Sequence, residues 1–138
     1  MNKTDLEQHI IQAIEDNPYC SLATVEGGKP KARYMAVYND GLSIYMATNR
    51  CTHKVEELED NPNVSLLLGY ESGGTKDLLE IEGTAEVSRN GELRKQLWNN
   101  NMEKWFTGPD DPNYVILDIT PKRIEYTGKG QELQVWEA

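Results

Sequence analysis

The chain has 138 residues, of which 38% are hydrophobic and 27% are charged, which predicts one folded domain over residues 1–138 and excludes a disordered chain. A formal net charge of −9 excludes nucleic acid and anionic membranes as expected partners, since both are bound through clustered Lys and Arg. No long apolar run or signal-like N-terminus is present and there are only two cysteines, Cys20 and Cys51. We therefore expect a cytoplasmic protein without a disulfide framework.

The first predicted element is an amphipathic helix. Thr4 and Glu7 match a capping box, and apolar residues recur at helical spacing until Asn17 and Pro18. Beyond it, short segments rich in β-branched and aromatic residues alternate with turn residues, a pattern typical of strands. Strands are predicted at residues 19–25, 31–38, 42–48, 64–70, 78–88, 114–120 and 123–126, and helices at 53–60 and 92–105. Tight turns between about six or seven strands predict an antiparallel β-barrel with flanking helices.

Arg33 is the first candidate for ligand binding. It lies on a predicted strand, on the same face as Met35 and Val37, and that face is apolar enough to point inward. A buried guanidinium needs an anionic partner, which can be a ligand phosphate or one of the 23 acidic residues of the chain. A surface position for Arg33 stays open as a third interpretation.

The segment from Thr48 to Lys54 is the second candidate, because it leaves a strand and enters a helix at Thr52, a predicted N-cap. Backbone N–H groups and the helix dipole favour an anion there, and Lys54 adds a donor. The alternative is that Thr52 only caps the helix and Lys54 only offsets Glu57 three positions later. Spacing alone leaves both interpretations open.

These residues resemble motifs of the FMN-binding split barrels in the pyridoxamine 5′-phosphate oxidase superfamily. The oxidase motif of Arg followed by an apolar strand is similar to residues 33–38, and its later motif, which ends in Asn-Pro, is similar to residues 47–62. The resemblance extends from Tyr19 to Tyr126. It is closest to the general stress protein 26 branch, through residues 105–112 and 124–126.

The resemblance implies a split barrel and a homodimer with two FMN sites at the subunit interface. It implies phosphate contacts at positions matching Arg33, Thr48, His53 and Lys54, and isoalloxazine contacts along residues 35–38. With the candidates from spacing, the predicted cofactor-binding residues are Arg33, Tyr34, Met35, Ala36, Val37, Tyr38, Ala47, Thr48, Thr52, His53 and Lys54.

Several positions depart from the oxidase pattern. Ala47 replaces an aromatic residue, His53 replaces Arg, Leu78 stands where the oxidase has Gln, and Thr127 where it has Trp. The tail over residues 128–138 also lacks the Arg and His of the substrate motif. Oxidation of pyridoxamine phosphate is therefore not expected.

The function predicted from the resemblance is an FMN-dependent oxidoreductase that passes electrons from a donor such as a nicotinamide nucleotide to a small acceptor. No side chain is assigned as acid or base. Two alternatives stay open: a non-catalytic protein that carries flavin or senses redox state, and a binder of another planar cofactor such as haem or a deazaflavin.

Other motifs have weaker functional interpretations. Cys51 precedes a helix N-terminus, where a thiol gains reactivity, but an incidental loop cysteine is the preferred interpretation. His9 and His53 are too far apart for a local metal pair, so no metal is expected. Residues 73–76 lack the spacing of a phosphate loop and are interpreted as a strand connection. Aromatic residues available for a core or a dimer interface are Trp98, Trp105 and Phe106.

Overall fold

One curled antiparallel sheet forms the body of the protein in the computed structural model, which describes residues 1–69, 77–128 and 132–138. The strand order is β2-β1-β5-β6-β7-β4-β3, and β8 pairs with β7. The strands are β1 (Tyr19–Glu26), β2 (Lys29–Ala36), β3 (Tyr38–Asp40), β4 (Ser43–Asn49), β5 (Asn63–Leu68), β6 (Leu78–Ser88), β7 (Tyr114–Thr127) and β8 (Leu133–Glu137). The predicted antiparallel barrel-type sheet is confirmed, with eight strands in the described residues rather than six or seven.

Strand β7 differs most from its prediction. The two strands predicted at 114–120 and 123–126 form a single strand that is 14 residues long. Its pairing with β6 shifts register where Gly83 lies opposite Pro121. The extra residue of this bulge is Lys122, between the aligned residues Pro121 and Arg123, and bulges are positions where a strand tolerates proline. The first half of β7 pairs with β4 and the second half with β8, which the sequence analysis did not predict.

Two other strands also differ from their predicted bounds. The predicted strand at 31–38 is divided between β2 and β3, because Val37 donates its backbone N–H to the carbonyl of Pro18 at 2.8 Å. The predicted strand at 64–70 ends at Leu68. Tyr70 and the connection at residues 73–76 lie outside the described residues.

Helix α1 (Lys3–Glu15) buries Leu6, Ile10, Ala13 and Ile14, the apolar face predicted for it. Its predicted capping box was wrong. The N-cap is Asn2, whose side chain accepts the backbone N–H of Asp5 at 2.8 Å. The carboxylate of Glu7 instead accepts the indole N–H of Trp136 at 2.9 Å, which ties α1 to β8.

Helix α2 (His53–Asp60) has the predicted bounds. The helix predicted at 92–105 is divided into α3 (Gly91–Leu97) and a 3₁₀ helix at Asn100–Lys104. The division falls at Asn99, whose side chain accepts the backbone N–H of Asn101 at 3.0 Å. An Asn side chain that bonds its own backbone in this way starts a new cap and interrupts the helix. None of the helices in the described ranges is long and apolar enough to span a membrane.

The apolar residues form two clusters on opposite faces of β4. The larger one lies inside the curled sheet against α1, and Ile44 and Met46 belong to it. The smaller one lies between the other face of β4 and β7 and the helical segment that follows β6. Its buried members are Met102, Phe106, Tyr114 and Ile116, with Trp98 packed against them. Phe106 is thus a core residue and Trp98 is half-buried against the same cluster, whereas Trp105 is 70% exposed.

We expect Gly83→Ala to destabilise the protein, because a Cβ atom at Gly83 would collide with the backbone carbonyl of Thr120 on β7. A backbone neighbour cannot rotate away, so the expected loss is about 1 to 3 kcal/mol. Gly91→Ala is the matched control, since nothing lies within 4 Å of its added Cβ. Urea unfolding of both variants measures the difference, and equal midpoints would contradict the close approach of β6 and β7.

Candidate functional site

The candidate site lies where β1, β2 and the start of α2 meet. The register of the β1–β2 pair places Leu22 opposite Arg33, so Thr24 is the diagonal neighbour of Arg33 on the same face. Helix α2 packs on β1 and buries Val55, Glu57 and Leu58. One charged side chain of the helix is therefore carried inward together with its apolar residues.

Arg33, Thr24 and Glu57 form a closed hydrogen-bonded triangle. Arg33 donates from Nη1 to the hydroxyl of Thr24 at 2.8 Å and from Nη2 to Oε2 of Glu57 at 3.3 Å. Thr24 donates its hydroxyl proton to the same carboxylate oxygen at 2.6 Å. The side chain of Glu57 is 3% exposed and that of Arg33 is 26% exposed. The hydrogen bond from Thr24 and the charge of Arg33 hold the pKa of Glu57 below its ordinary value, although burial acts in the other direction.

Lys54 lies beside this triangle, in the first turn of α2. Its ammonium donates to the hydroxyl of Thr52 at 3.4 Å. Burial lowers the pKa of Lys54, the charge of Arg33 lowers it further, and Glu57 acts in the opposite direction. The two cations and one carboxylate are therefore close enough to influence one another electrostatically.

Thr52 occupies the N-cap position of α2, but its side chain accepts no backbone N–H of the first turn. Its hydroxyl donates instead to the carbonyl of Asn49 at 2.9 Å. The predicted capping role was therefore wrong for the side chain, although the predicted helix start is confirmed. The helix N-terminus, Arg33 and Lys54 bring positive charge to one place, with one buried carboxylate against them. This donor set fits a phosphate group.

Arg33 is half-buried on the predicted face, and the anionic partner that the structure shows is Glu57. The sequence left open whether Arg33 pairs with a ligand phosphate or with an acidic residue of the chain. In the structure it pairs with an acidic residue. Glu57 does not serve as a solvated partner of Lys54, because its carboxylate turns inward to Thr24 and Arg33.

The other predicted phosphate contacts are more dispersed. Thr48 is buried on the same face of β4 as Ile44 and Met46, whereas Ala47 packs against the smaller apolar cluster on the opposite face. His53 is exposed and lines a cavity of about 210 Å³ with acidic neighbours. Between described residues, no hydrogen bond joins Thr48 or His53 to the Arg33 triangle.

The residues predicted to contact the flavin ring alternate in their surroundings. Tyr34 is 87% exposed, while Met35 and Val37 pack against the larger apolar cluster. Tyr38 packs against the smaller cluster, and its hydroxyl accepts from the side-chain amide of Asn99 at 3.1 Å. Ala36 is half-buried on the same side of β2 as Tyr34. Tyr34 is thus the most accessible residue of this segment.

Thr24 and Glu57 are the site residues that sequence analysis missed. Thr24 offered a signal, since it is a polar residue on the inward face of β1 otherwise occupied by Cys20 and Leu22. Glu57 offered none, because its burial depends on how α2 docks against the sheet. A carboxylate in a strongly charged helix is ordinarily a solvated residue.

The cysteines and histidines form no further centre in the described ranges. Cys51 is exposed, whereas Cys20 is buried, and burial raises the pKa of the Cys20 thiol to about 12. Among the described residues, no group of three or more His, Cys, Asp or Glu side chains is arranged to hold a metal ion.

The curled antiparallel sheet, with β7 shared between β4 and β8, is the split-barrel fold. The chain belongs to the pyridoxamine 5′-phosphate oxidase family, whose sequence pattern it matches over residues 6–128. It is 43% identical over 136 residues to General stress protein 26 of Bacillus subtilis strain 168. The aligned region covers 98% of this chain and 97% of that protein. The family resemblance seen in the sequence is thus confirmed.

Solved structures agree with this assignment. The crystal structure of General Stress Protein 26 from Bacillus anthracis Sterne superposes with a TM-score of 0.84 at 33% identity, covering 95% of this chain and 98% of that one. A haem-binding protein from Mycobacterium smegmatis superposes with a TM-score of 0.76 at 14% identity, covering 99% of this chain and 59% of that one. At that identity the second likeness shows the fold alone.

Proposed function

We propose that this protein is an FMN-binding flavoprotein that holds the flavin phosphate between Arg33 and Lys54. The observation that carries the proposal is the convergence of these two cations, one from β2 and one from α2, at a helix N-terminus that Thr52 does not cap. Such a terminus leaves backbone N–H groups without a side-chain acceptor, and the helix dipole favours an anion there.

The charge distribution of the chain supports a specific anion site. The protein as a whole carries a formal charge of −9, so an anionic ligand needs a local excess of positive charge. A guanidinium has five N–H donors, and Thr24 and Glu57 account for one hydrogen bond each. The remaining donors of Arg33 and the ammonium of Lys54 are a suitable set for phosphate oxygens.

Bound FMN would supply electron or hydride transfer, and the chain would bind and orient it. In this proposal, residues 35–38 run beside the ring and the exposed Tyr34 lies next to them. Ala47, Thr48, Thr52 and His53 complete the proposed contacts. We further propose a flavin-dependent oxidoreductase that uses a reduced nicotinamide nucleotide and a small acceptor, in the cytoplasm, without assigning a side chain as acid or base.

The proposal includes a homodimer, because one face of the sheet exposes apolar residues on three neighbouring strands. Tyr34 on β2 lies opposite Ser21 on β1, which in turn lies opposite Leu67 on β5. Tyr34 and Leu67 are 87% and 43% exposed, and nearby Tyr19 is 67% exposed. A contiguous apolar patch of this kind favours burial against a second subunit.

The absorption spectrum of the freshly purified protein tests the cofactor. We expect the near-ultraviolet and blue bands of oxidised flavin, either at once or after incubation with FMN. A protein that retains haem and stays free of flavin in millimolar FMN would contradict the proposal and favour the haem alternative, which rests on the fold shared with the Mycobacterium smegmatis protein. If a nicotinamide nucleotide reduces the protein-bound FMN no faster than it reduces free FMN, the result would favour a flavin carrier.

Arg33→Ala and Lys54→Ala should each weaken FMN binding about tenfold to a hundredfold, since a charge-assisted hydrogen bond contributes about 1.5 to 3 kcal/mol. Riboflavin lacks the phosphate, so its affinity should barely change. Titration of both ligands against each variant measures the effect. Lys29→Ala is the matched control, because Lys29 is exposed on the same strand as Arg33. Equal losses for FMN and riboflavin would place these residues at the ring or in the fold instead.

Sedimentation should show a homodimer at micromolar concentration. Tyr34→Glu should shift the protein toward monomer, because it places a charge in the exposed apolar face. Lys95→Glu, a change at an exposed position of α3, should leave the dimer intact. A wild-type monomer that still binds FMN would contradict a site shared between subunits.

A further inference from the structure

Glu57 is a buried carboxylate at the place where we propose that a ligand phosphate binds. Its oxygen Oε2 accepts hydrogen bonds from Thr24 and Arg33, whereas Oε1 is buried and has no hydrogen-bond partner among the residues that the structure describes. A carboxylate that is only partly satisfied and excluded from water bears a considerable desolvation cost. Packing alone therefore does not explain why a carboxylate occupies this position.

The contacts of the neighbouring cations show which positive charge the Glu57 carboxylate balances. On β2, Arg33 bonds directly to it, while Lys31 is paired with Glu26 of β1 at 2.5 Å. On its own helix, Lys54 is half-buried and bonds to Thr52. From β1 the contacting group is the uncharged hydroxyl of Thr24. The carboxylate of Glu57 is thus the direct counter-ion of Arg33.

We infer that Glu57 is an internal counter-ion that competes with the ligand phosphate for Arg33 and so keeps flavin binding exchangeable. The inference rests on the proposed function. Without ligand, the carboxylate compensates two neighbouring cations, which stabilises the fold. With ligand, the same negative charge repels the phosphate across a partly buried site, where screening by water is weak. One residue thereby stabilises the empty protein and limits the affinity of the filled one.

Glu57→Gln tests this, because the amide keeps the shape and a hydrogen-bond acceptor for Arg33 but removes the charge. FMN binding should become roughly tenfold tighter, mainly through slower dissociation. Riboflavin affinity should stay unchanged. FMN affinity should also fall more steeply with added salt, because the site gains one net positive charge.

Thermal unfolding supplies a second measurement. Without ligand, Glu57→Gln should melt at a lower temperature than wild type, because Arg33 and Lys54 lose their compensating charge. The rise in melting temperature caused by saturating FMN should be larger than in wild type. Glu59→Gln removes the same charge from an exposed position of the same helix, so it should change neither quantity. Thr24→Val keeps the carboxylate charge, and its FMN affinity should not increase.

A measurement on the wild type covers the case in which Glu57→Gln fails to fold. If phosphate and carboxylate compete for Arg33, bound FMN must raise the pKa of Glu57, by reciprocal coupling. Carboxyl-carbon NMR titration with and without FMN measures this pKa. No rise would overturn the inference, and so would a foldable Glu57→Gln that binds FMN no more tightly than wild type or that gains equally for FMN and riboflavin.

Failure of the proposed function gives a different pattern. In that case, wild type shows no preference for FMN over riboflavin. The inference is then decided by inorganic phosphate, which should raise the melting temperature of Glu57→Gln more than that of wild type. An equal rise in both proteins overturns the role of Glu57 as a competitor.

Discussion

The fold depends on the length of β7, which extends over 14 residues. One edge of this strand pairs with β6, and the other edge pairs first with β4 and then with β8. A shorter strand would not reach both partners, and either β4 or β8 would lose its pairing with β7. The register shift at Gly83 preserves this length through Pro121, because it lets the strand bend without losing its neighbours. The curvature that encloses the larger apolar cluster therefore depends on one irregular position in an otherwise regular ladder.

The site depends on a different contact, the docking of α2 against β1. This docking carries Glu57 to Thr24 and Arg33 and places Lys54 beside them. It connects two adjacent strands and a helix through one carboxylate oxygen. A displacement of α2 would therefore change the positions of both proposed phosphate contacts together, since Lys54 belongs to the helix and Arg33 is bonded to it. The position of the helix and the charge of the site are mechanically coupled.

Much of this fold could be predicted from local sequence patterns. The alternation of residues 33–37 correctly gave the inward face of Arg33, and the Thr52 and Asn61-Pro62 signals gave the bounds of α2. What could not be predicted depends on distant contacts. The carbonyl of Pro18 divides β2 from β3 at Val37, and the pairing of β6 keeps β7 continuous through Pro121. Glu57 belongs to the same class, because helical periodicity does not distinguish a buried carboxylate from the solvated ones beside it.

The hydrogen bond between Glu7 and Trp136 has a consequence for the order of folding. It joins residues 129 positions apart, close to the largest separation that this chain permits. During synthesis, α1 leaves the ribosome well before β8, so the helix is complete long before its strand partner exists. During that interval, the part of the helix surface that β8 covers in the folded protein remains exposed or is sheltered by other proteins. Contacts of such high sequence separation also slow folding, because the intervening chain must be ordered before the ends can meet.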